Sequence, residues 1–349
     1  MIKPYKFRGH AYRTLAEAEA WTKQRYEPAL EPELAIIDPH HHVWDDQRGR
    51  YLTHELAADV GGGHNIIATV FVEAGVMYRA DGPAEMKPVG EVEFVNGIAA
   101  MGASGHYGKT RLCDGIVGHA DLMLGDKVTP VLEALTAAGN GRFKGIRYGT
   151  IWDAGNAAMF GRHQVPRHLM LDPIFRQGFA CLQPAKLSFE AWLFHPQLDD
   201  LADLLRAFPE ANVVMNHCGG LLGIAPYEGK REEVFKLWHA HIRNLAQFSN
   251  LTVKIGGLGM LYCNWDFHLR DRPPSSTELA AAWRPYVEAC IEAFGPDRCM
   301  MESNFPPDKQ TCGYGVLWNA MKRITKNHSA TDKAALYYNT AARVYRLSM

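Results

Sequence analysis

The chain has 349 residues, of which 47% are hydrophobic, 11% aromatic and 21% charged, and its 37 Lys and Arg nearly balance 38 Asp and Glu for a formal net charge of −1. That balance excludes a broad nucleic-acid or membrane footprint and still allows a local basic pocket for a small anion. The aromatic content and the lack of long like-charge blocks exclude disorder over most of the chain, which is long enough to bury about 75% of its unfolded surface.

Cysteine usage adds a compartment. The seven cysteines, Cys113, Cys181, Cys218, Cys263, Cys290, Cys299 and Cys312, are odd in number, widely spaced and without a C-x-x-C pair. Reduced thiols in a cytoplasmic protein are expected, not a disulfide framework or a zinc cluster. The stretch Met1 to Arg13 is basic without an apolar core, so no secretory leader is expected. The purest apolar run, Ile66–Val72, is far short of the ~20 residues of a membrane span.

In chain order, a helical pattern around Thr14–Tyr26 comes first, within an N-terminal extension assigned to residues 1–33. Eight strand candidates follow: Leu34–His42, Asn65–Glu73, Asp114–Asp121, Phe143–Tyr148, Leu187–His195, Asn212–His217, Leu251–Ile255 and Arg298–Asn304. Several are apolar throughout, as strands covered on both faces are. Helical patterns lie between them at Val128–Ala138, Pro173–Leu182, Leu198–Phe208, Glu232–Phe248 and Glu278–Phe294. Eight strands alternating with helices predict a (β/α)8 TIM barrel over residues 34–349, with a doubly wound open sheet as the lesser alternative. Val76–Thr110 and Gly259–Ser276 exceed the minimal alternation and read as long βα-loops of the kind that build barrel active sites.

The strongest chemical signal ends the first strand: Asp38-Pro39-His40-His41-His42-Val43-Trp44-Asp45. Side chains alternate faces along a strand, so His40 and His42 share one face and can chelate an ion or grip a polar substrate. Asp38 has the same parity and is placed to orient an imidazole from below. Glu302 and Asn304 share a face at the eighth strand by the same rule. Arg147 at the end of the fourth strand suits a substrate carboxylate, and Tyr51, Tyr78, Arg79 and His119 are further substrate-side candidates. Glu73, ending the second strand, is a second carboxylate candidate. Gly61-Gly62-Gly63 and Gly256-Gly257 lack phosphate-loop spacing and read as backbone punctuation.

His-x-His after an apolar first strand resembles the amidohydrolase superfamily, and the full Asp38–Asp45 string looks like its lactonase-like amidohydrolase-2 branch. Phe143-Lys144-Gly145-Ile146-Arg147, Trp192-Leu193-Phe194-His195-Pro196-Gln197, Asn216-His217-Cys218-Gly219-Gly220 and Val253-Lys254-Ile255-Gly256-Gly257 extend the resemblance in order. It implies a barrel hydrolase whose pocket takes His40, His42, His195 and His217. Any bound metal is expected to be one divalent ion, zinc by its imidazole ligands, on His40, His42, His195 and Glu73. The family usually ends strand eight in Gly-Ser-Asp-x-Pro, where the Asp binds metal or activates water. Here the string is Glu302-Ser303-Asn304-Phe305-Pro306, and an amide neither carries charge nor takes a proton near neutral pH. A metal-independent mechanism therefore stays open, with catalysis assigned to His217, His195, Asn304 and Glu302. The expected reaction is lactone opening on a small, anionic, carboxylated or aromatic-derived molecule, in a chain that could form a homo-oligomer. Non-oxidative decarboxylation of an aromatic acid and a non-catalytic binding barrel are the alternatives.

Overall fold

In the computed structural model, which describes residues 11–155 and 165–347, the eight apolar runs hydrogen-bond into one parallel sheet. Its strands are β1 (Ala35–His41), β4 (Asn65–Val72), β5 (Arg111–Gly118), β6 (Phe143–Gly149), β7 (Ser188–Trp192), β8 (Val213–Met215), β9 (Leu251–Ile255) and β10 (Cys299–Met301). They pair in that spatial order. A small antiparallel hairpin, β2 (Trp44–Asp46) with β3 (Gly49–Tyr51), sits just after β1. The barrel closes where the chain past β10 meets β1: His42 N–H donates to the Phe305 carbonyl at 2.7 Å, and Asn304 N–H to the His40 carbonyl at 2.9 Å. The architecture is a TIM-barrel α/β fold.

Among the helices, α1 (Leu15–Thr22) precedes the barrel, and α2 (Thr53–Val60), α3 (Val89–Ala103), α4 (Thr129–Ala138), α5 (Pro173–Ala180) and α6 (Leu198–Ala207) follow between strands. A short turn, α7 (His217–Gly220), leads to α8 (Arg231–Leu245), α9 (Ser276–Phe294) and α10 (Tyr314–Ile324). No helix among the described residues is long and apolar enough to cross a membrane. All seven cysteines are free thiols. The segment read as one long loop, Val76–Thr110, instead contains the four-turn helix α3; its Gly97 and Gly102 masked the periodicity.

Alternation divides the strand residues between two cores. Ile36, Phe71, Ile116, Val213 and Met301 belong to the layer between sheet and helices. Ile37, Val70, Val72, Val117, Val214 and Met300 face inward and pack on Ala341, Val344 and Tyr345 from the C-terminal segment, which fills the barrel floor. Above that apolar layer the interior turns polar. Glu190 of β7 and Lys254 of β9 form a fully buried ion pair of 2.8 Å. Glu190 also accepts from Tyr345 Oη and Asn216 Nδ2, each at 2.5 Å. Interior charges survive only when paired and hydrogen-bonded, and this pair is both.

The N-terminal segment is tied to the loops on the site's side of the barrel. Thr14 and Glu17 form a reciprocal cap that starts α1. Gln310 accepts from the Tyr12 and Arg13 N–H groups, Arg13 donates to the His268 carbonyl, and Trp21 Nε1 to the Arg270 and Asp271 carbonyls. Residues 1–10 of the expected extension lie outside the described residues.

Candidate active site

The chemistry-bearing residues meet at the C-terminal ends of the strands, the end where barrel enzymes place their sites. Reaching it requires a break in register. β1 slips against β4 between Asp38 and His41, so the parity that would group Asp38 with His40 is lost. Asp38 turns to the helix side, where it accepts from Tyr314 Oη of α10 at 2.9 Å and Ser303 Oγ at 2.6 Å. Its role is to pin the end of β10 to β1, not to orient an imidazole. Burial raises its pKa to about 6 against those bonds. His41 also points outward, against Phe71 and Cys113. His40 and His42 point in, and both are buried.

Four groups converge there. Ligand atoms of His40, His217 and Glu302 lie within 4.8 Å of one another. His40 Nε2 is 3.3 Å from His42 Nε2, and the rings of His40 and His217 are 4.5 Å apart. Glu302 lies between two imidazoles: Oε1 is 2.7 Å from His217 Nδ1, and Oε2 is 2.9 Å from His40 Nδ1. Two glycines make this packing possible. A Cβ on Gly256 would come within 2.3 Å of Glu302 Cγ, and one on Gly257 within 2.6 Å of the His217 ring. The Gly256-Gly257 pair is therefore space for the site, beyond the backbone punctuation read from sequence. His217 itself has φ +54°, a left-handed conformation that is costly for a side-chain-bearing residue and that clusters at functional sites.

Cations border the cluster. Arg147 Nε donates to Glu73 Oε1 at 2.8 Å, Nη2 to the Glu73 carbonyl at 2.7 Å, and Nη1 approaches His40 Nε2 at 3.2 Å. Lys254 Nζ is 3.4 Å from His40 Nδ1. Burial, followed by the Lys254 ammonium, holds the His40 pKa well below the ordinary imidazole value; burial and Arg147 do the same for His42. Both rings are neutral near pH 7.

The neutral rings expose lone pairs to each other. His42 Nδ1 lies 2.7 Å from the Val72 carbonyl, which accepts only, so Nδ1 carries the proton and Nε2 the lone pair. A guanidinium donates only, so His40 Nε2 is likewise an acceptor. Two buried acceptor nitrogens at 3.3 Å match the spacing of imidazoles sharing one tetrahedral ion at ~2.0–2.1 Å. Glu302 Oε2 is buried and off the line of any hydrogen bond, a further open donor. The residues present thus fit a divalent ion.

The remaining expected residues fall elsewhere. His195 is buried past β7, where its Nδ1 accepts from Leu222 N–H at 3.3 Å and its ring meets Tyr227. Burial lowers its pKa to about 4. It borders a separate cavity of about 280 Å³ lined by Leu222, Tyr227, Arg231, Trp265 and Tyr286, which none of the clustered histidines lines. Glu73 is engaged by Arg147, so the converging set differs from the ligands expected from the resemblance by including His217 and Glu302. Tyr51 is buried and donates to Asp59 at 2.7 Å. Arg79 pairs with Glu93 on the surface, and His119 approaches the Arg147 carbonyl at 3.2 Å. Asn304 does not follow Glu302 inward. Strand geometry ends at Met301, Asn304 has φ +52°, and its Nδ2 donates to Asp308 Oδ1 at 2.8 Å.

The site is thus an eight-stranded parallel barrel with a His-x-His pair closing its first strand and a third imidazole after the sixth. The amidohydrolase-2 family model, Amidohydrolase, matches residues 37–347, and the chain belongs to that family of enzymes. It is 31% identical over 331 residues to the uncharacterised protein y4mH of Sinorhizobium fredii, covering 90% of this chain and 99% of that protein. It is 27% identical over 192 residues to the L-fucono-1,5-lactonase of Burkholderia multivorans, covering 53% of this chain and 62% of that one. Among solved structures, a zinc-bound amidohydrolase from Burkholderia multivorans superposes with a TM-score of 0.68 at 22% identity, covering 90% of this chain and 100% of that one. The probable 2-pyrone-4,6-dicarboxylic acid hydrolase of Acinetobacter baumannii gives 0.59 at 13% identity over 89% of this chain and 99% of that one. At these identities the two structures speak for the fold.

Proposed function

We propose that this hydrolase is a lactonase, opening the ring of a small, polar cyclic ester by attack of water. The observation that carries the reading is His217 Nδ1 at 2.7 Å from a buried carboxylate, beside the neutral imidazoles of His40 and His42 and the guanidinium of Arg147. A carboxylate accepts only, so His217 holds its proton on Nδ1 and presents Nε2 as a base. As water adds to the ester carbon, His217 Nε2 takes its proton, and Glu302 stabilises the imidazolium that forms. Arg147 is placed to donate to the carbonyl oxygen as negative charge develops there. The acyl–oxygen bond of the ring then breaks, His217 returns the proton to the leaving alkoxide, and a hydroxy acid results. A divalent ion held by His40 and His42, with the Glu302 carboxylate in reach, would supply Lewis-acid stabilisation of the same oxygen. The sugar-lactone activity of the Burkholderia multivorans relative supports the substrate class.

A panel of sugar lactones and pyrone carboxylates, followed for acid and carbon dioxide release, tests this. Acid release without carbon dioxide is expected, and His217→Asn should lower kcat by about 10²–10⁴. Carbon dioxide release, or hydrolysis unaffected by His217→Asn, would overturn it.

A further inference from the structure

Two buried cations stand at the histidine cluster, and each faces a carboxylate of its own. Lys254 Nζ is 2.8 Å from Glu190, with both side chains fully buried. Arg147 of β6 is held at two points by Glu73, the residue that follows β4. Nε donates to Glu73 Oε1 at 2.8 Å, and Nη2 donates to the Glu73 backbone carbonyl at 2.7 Å. The guanidinium carbon lies over the Trp192 ring, 4.9 Å from its centre. One edge and one face are thus fixed, and Nη1 is the nitrogen that reaches the cluster, 3.2 Å from His40 Nε2.

Charge is settled along with shape. Arg147 and Glu73 are both buried, and Glu73 supplies the anion that a buried guanidinium requires. Glu302 sets a further carboxylate at the same cluster, 2.7 Å from His217 Nδ1. A substrate carboxylate brought to Arg147 has to displace Glu73, leaving it an uncompensated buried charge, or meet these carboxylates at close quarters. A carbonyl oxygen needs only a donor, and a paired guanidinium still donates. We infer that Glu73 is a specificity-determining residue: by neutralising Arg147 it makes this arginine a hydrogen-bond donor to an ester carbonyl, not a receptor for a carboxylate, and so selects uncharged cyclic esters over anionic ones. The inference rests on the lactone-opening reading of this pocket and adds to it the charge of the substrate.

Lactams test it, because the ring amide copies a lactone and resists opening. Sugar δ-lactams of the gluco, galacto and manno series are titrated by calorimetry at pH 7, each as the hydroxymethyl compound and as the matching carboxylate. The wild-type protein should bind the best neutral lactam at least about tenfold more tightly than its carboxylate partner. Glutamine keeps the shape of Glu73 and an acceptor for the Arg147 Nε–H, and removes the charge. Glu73→Gln should therefore tighten the carboxylate by about tenfold or more and leave the neutral lactam within about threefold. That gain should vanish when Glu73→Gln is combined with Arg147→Met. Equal or tighter binding of the carboxylate by the wild-type protein would overturn the inference without any variant, as would no binding of any neutral lactam. An unchanged preference in Glu73→Gln, or a gain that survives the loss of Arg147, would also overturn it. Opening of the corresponding lactones, measured in parallel, separates the two readings. Lactones opened by a protein that favours the carboxylate lactam remove this inference alone. The expected lactam pattern with no lactone opened removes the proposed reaction alone.

Discussion

Asn304 shows how far a single position can be read. By strand periodicity it belongs beside Glu302, inside the barrel. The chain abandons strand geometry two residues earlier, and Asn304 instead donates to Asp308, a buried carboxyl that also accepts from Gly259 N–H at 2.9 Å. Burial already raises the Asp308 pKa well above the carboxylate range, opposed first by the Asn304 hydrogen bond. Asn304→Asp therefore places two carboxyls in contact in the interior, and one must keep a proton. A pKa raised by folding contributes stability at low pH that is lost as pH rises. Asn304→Asp should cost about 1–3 kcal/mol at pH 8 and much less near pH 5, as urea midpoints at the two values will show. The exchange Asn304→Asp with Asp308→Asn should recover most of the loss. A pH-independent loss would refute the pairing.

At the scale of elements, the extension and the loop after β9 stabilise each other. Trp21 of α1 is nearly buried, its indole N–H reaches the carbonyls of Arg270 and Asp271, and the Arg13 guanidinium lies 4.1 Å from its ring centre. Arg25 adds a bond to the Pro273 carbonyl. Replacing a buried Trp by Ala costs about 3–5 kcal/mol. Because few contacts of α1 reach the barrel strands, Trp21→Ala should appear as local opening. Amide exchange should quicken over residues 12–27 and 264–274 and stay unchanged in β4 to β7. Acceleration spread evenly through the barrel would show instead that the extension is part of the cooperative core.

For the whole molecule, burial of neutral histidines sets the response to acid. Burial lowers His41, His64, His195 and His268 to about 4, and His40 and His42 well below the ordinary imidazole value. A group whose pKa falls on folding takes up its proton first in the unfolded chain, so stability is lost as pH drops from about 6.5 toward 4. Asp38, raised to about 6, and Asp59, Asp266 and Asp308, also raised, act in the opposite direction over part of that range. Six histidines outweigh four carboxyls. Urea midpoints should therefore fall steadily between pH 6.5 and 4.5, and a flat profile would mean that the histidines charge within the folded state.

Local pattern alone determined the eight strands, the barrel and the inward pair His40 and His42, because parallel strands covered on both faces are uniformly apolar and alternation survives a short run. It also marked Glu302 and Arg147 by their place at strand ends, and the family resemblance added His217. What depended on the tertiary structure were the departures from strand geometry. The bulge in β1 carries Asp38 outward, and the left-handed backbone at Asn304 takes that amide to Asp308. The partners were equally invisible. Glu73 is 74 residues from Arg147 and Glu302 is 85 from His217, so only barrel closure decides which carboxylate meets which cation or ring. The glycines at 256 and 257 read as turns in the sequence, because the space a missing Cβ leaves has meaning only once another strand's side chain fills it.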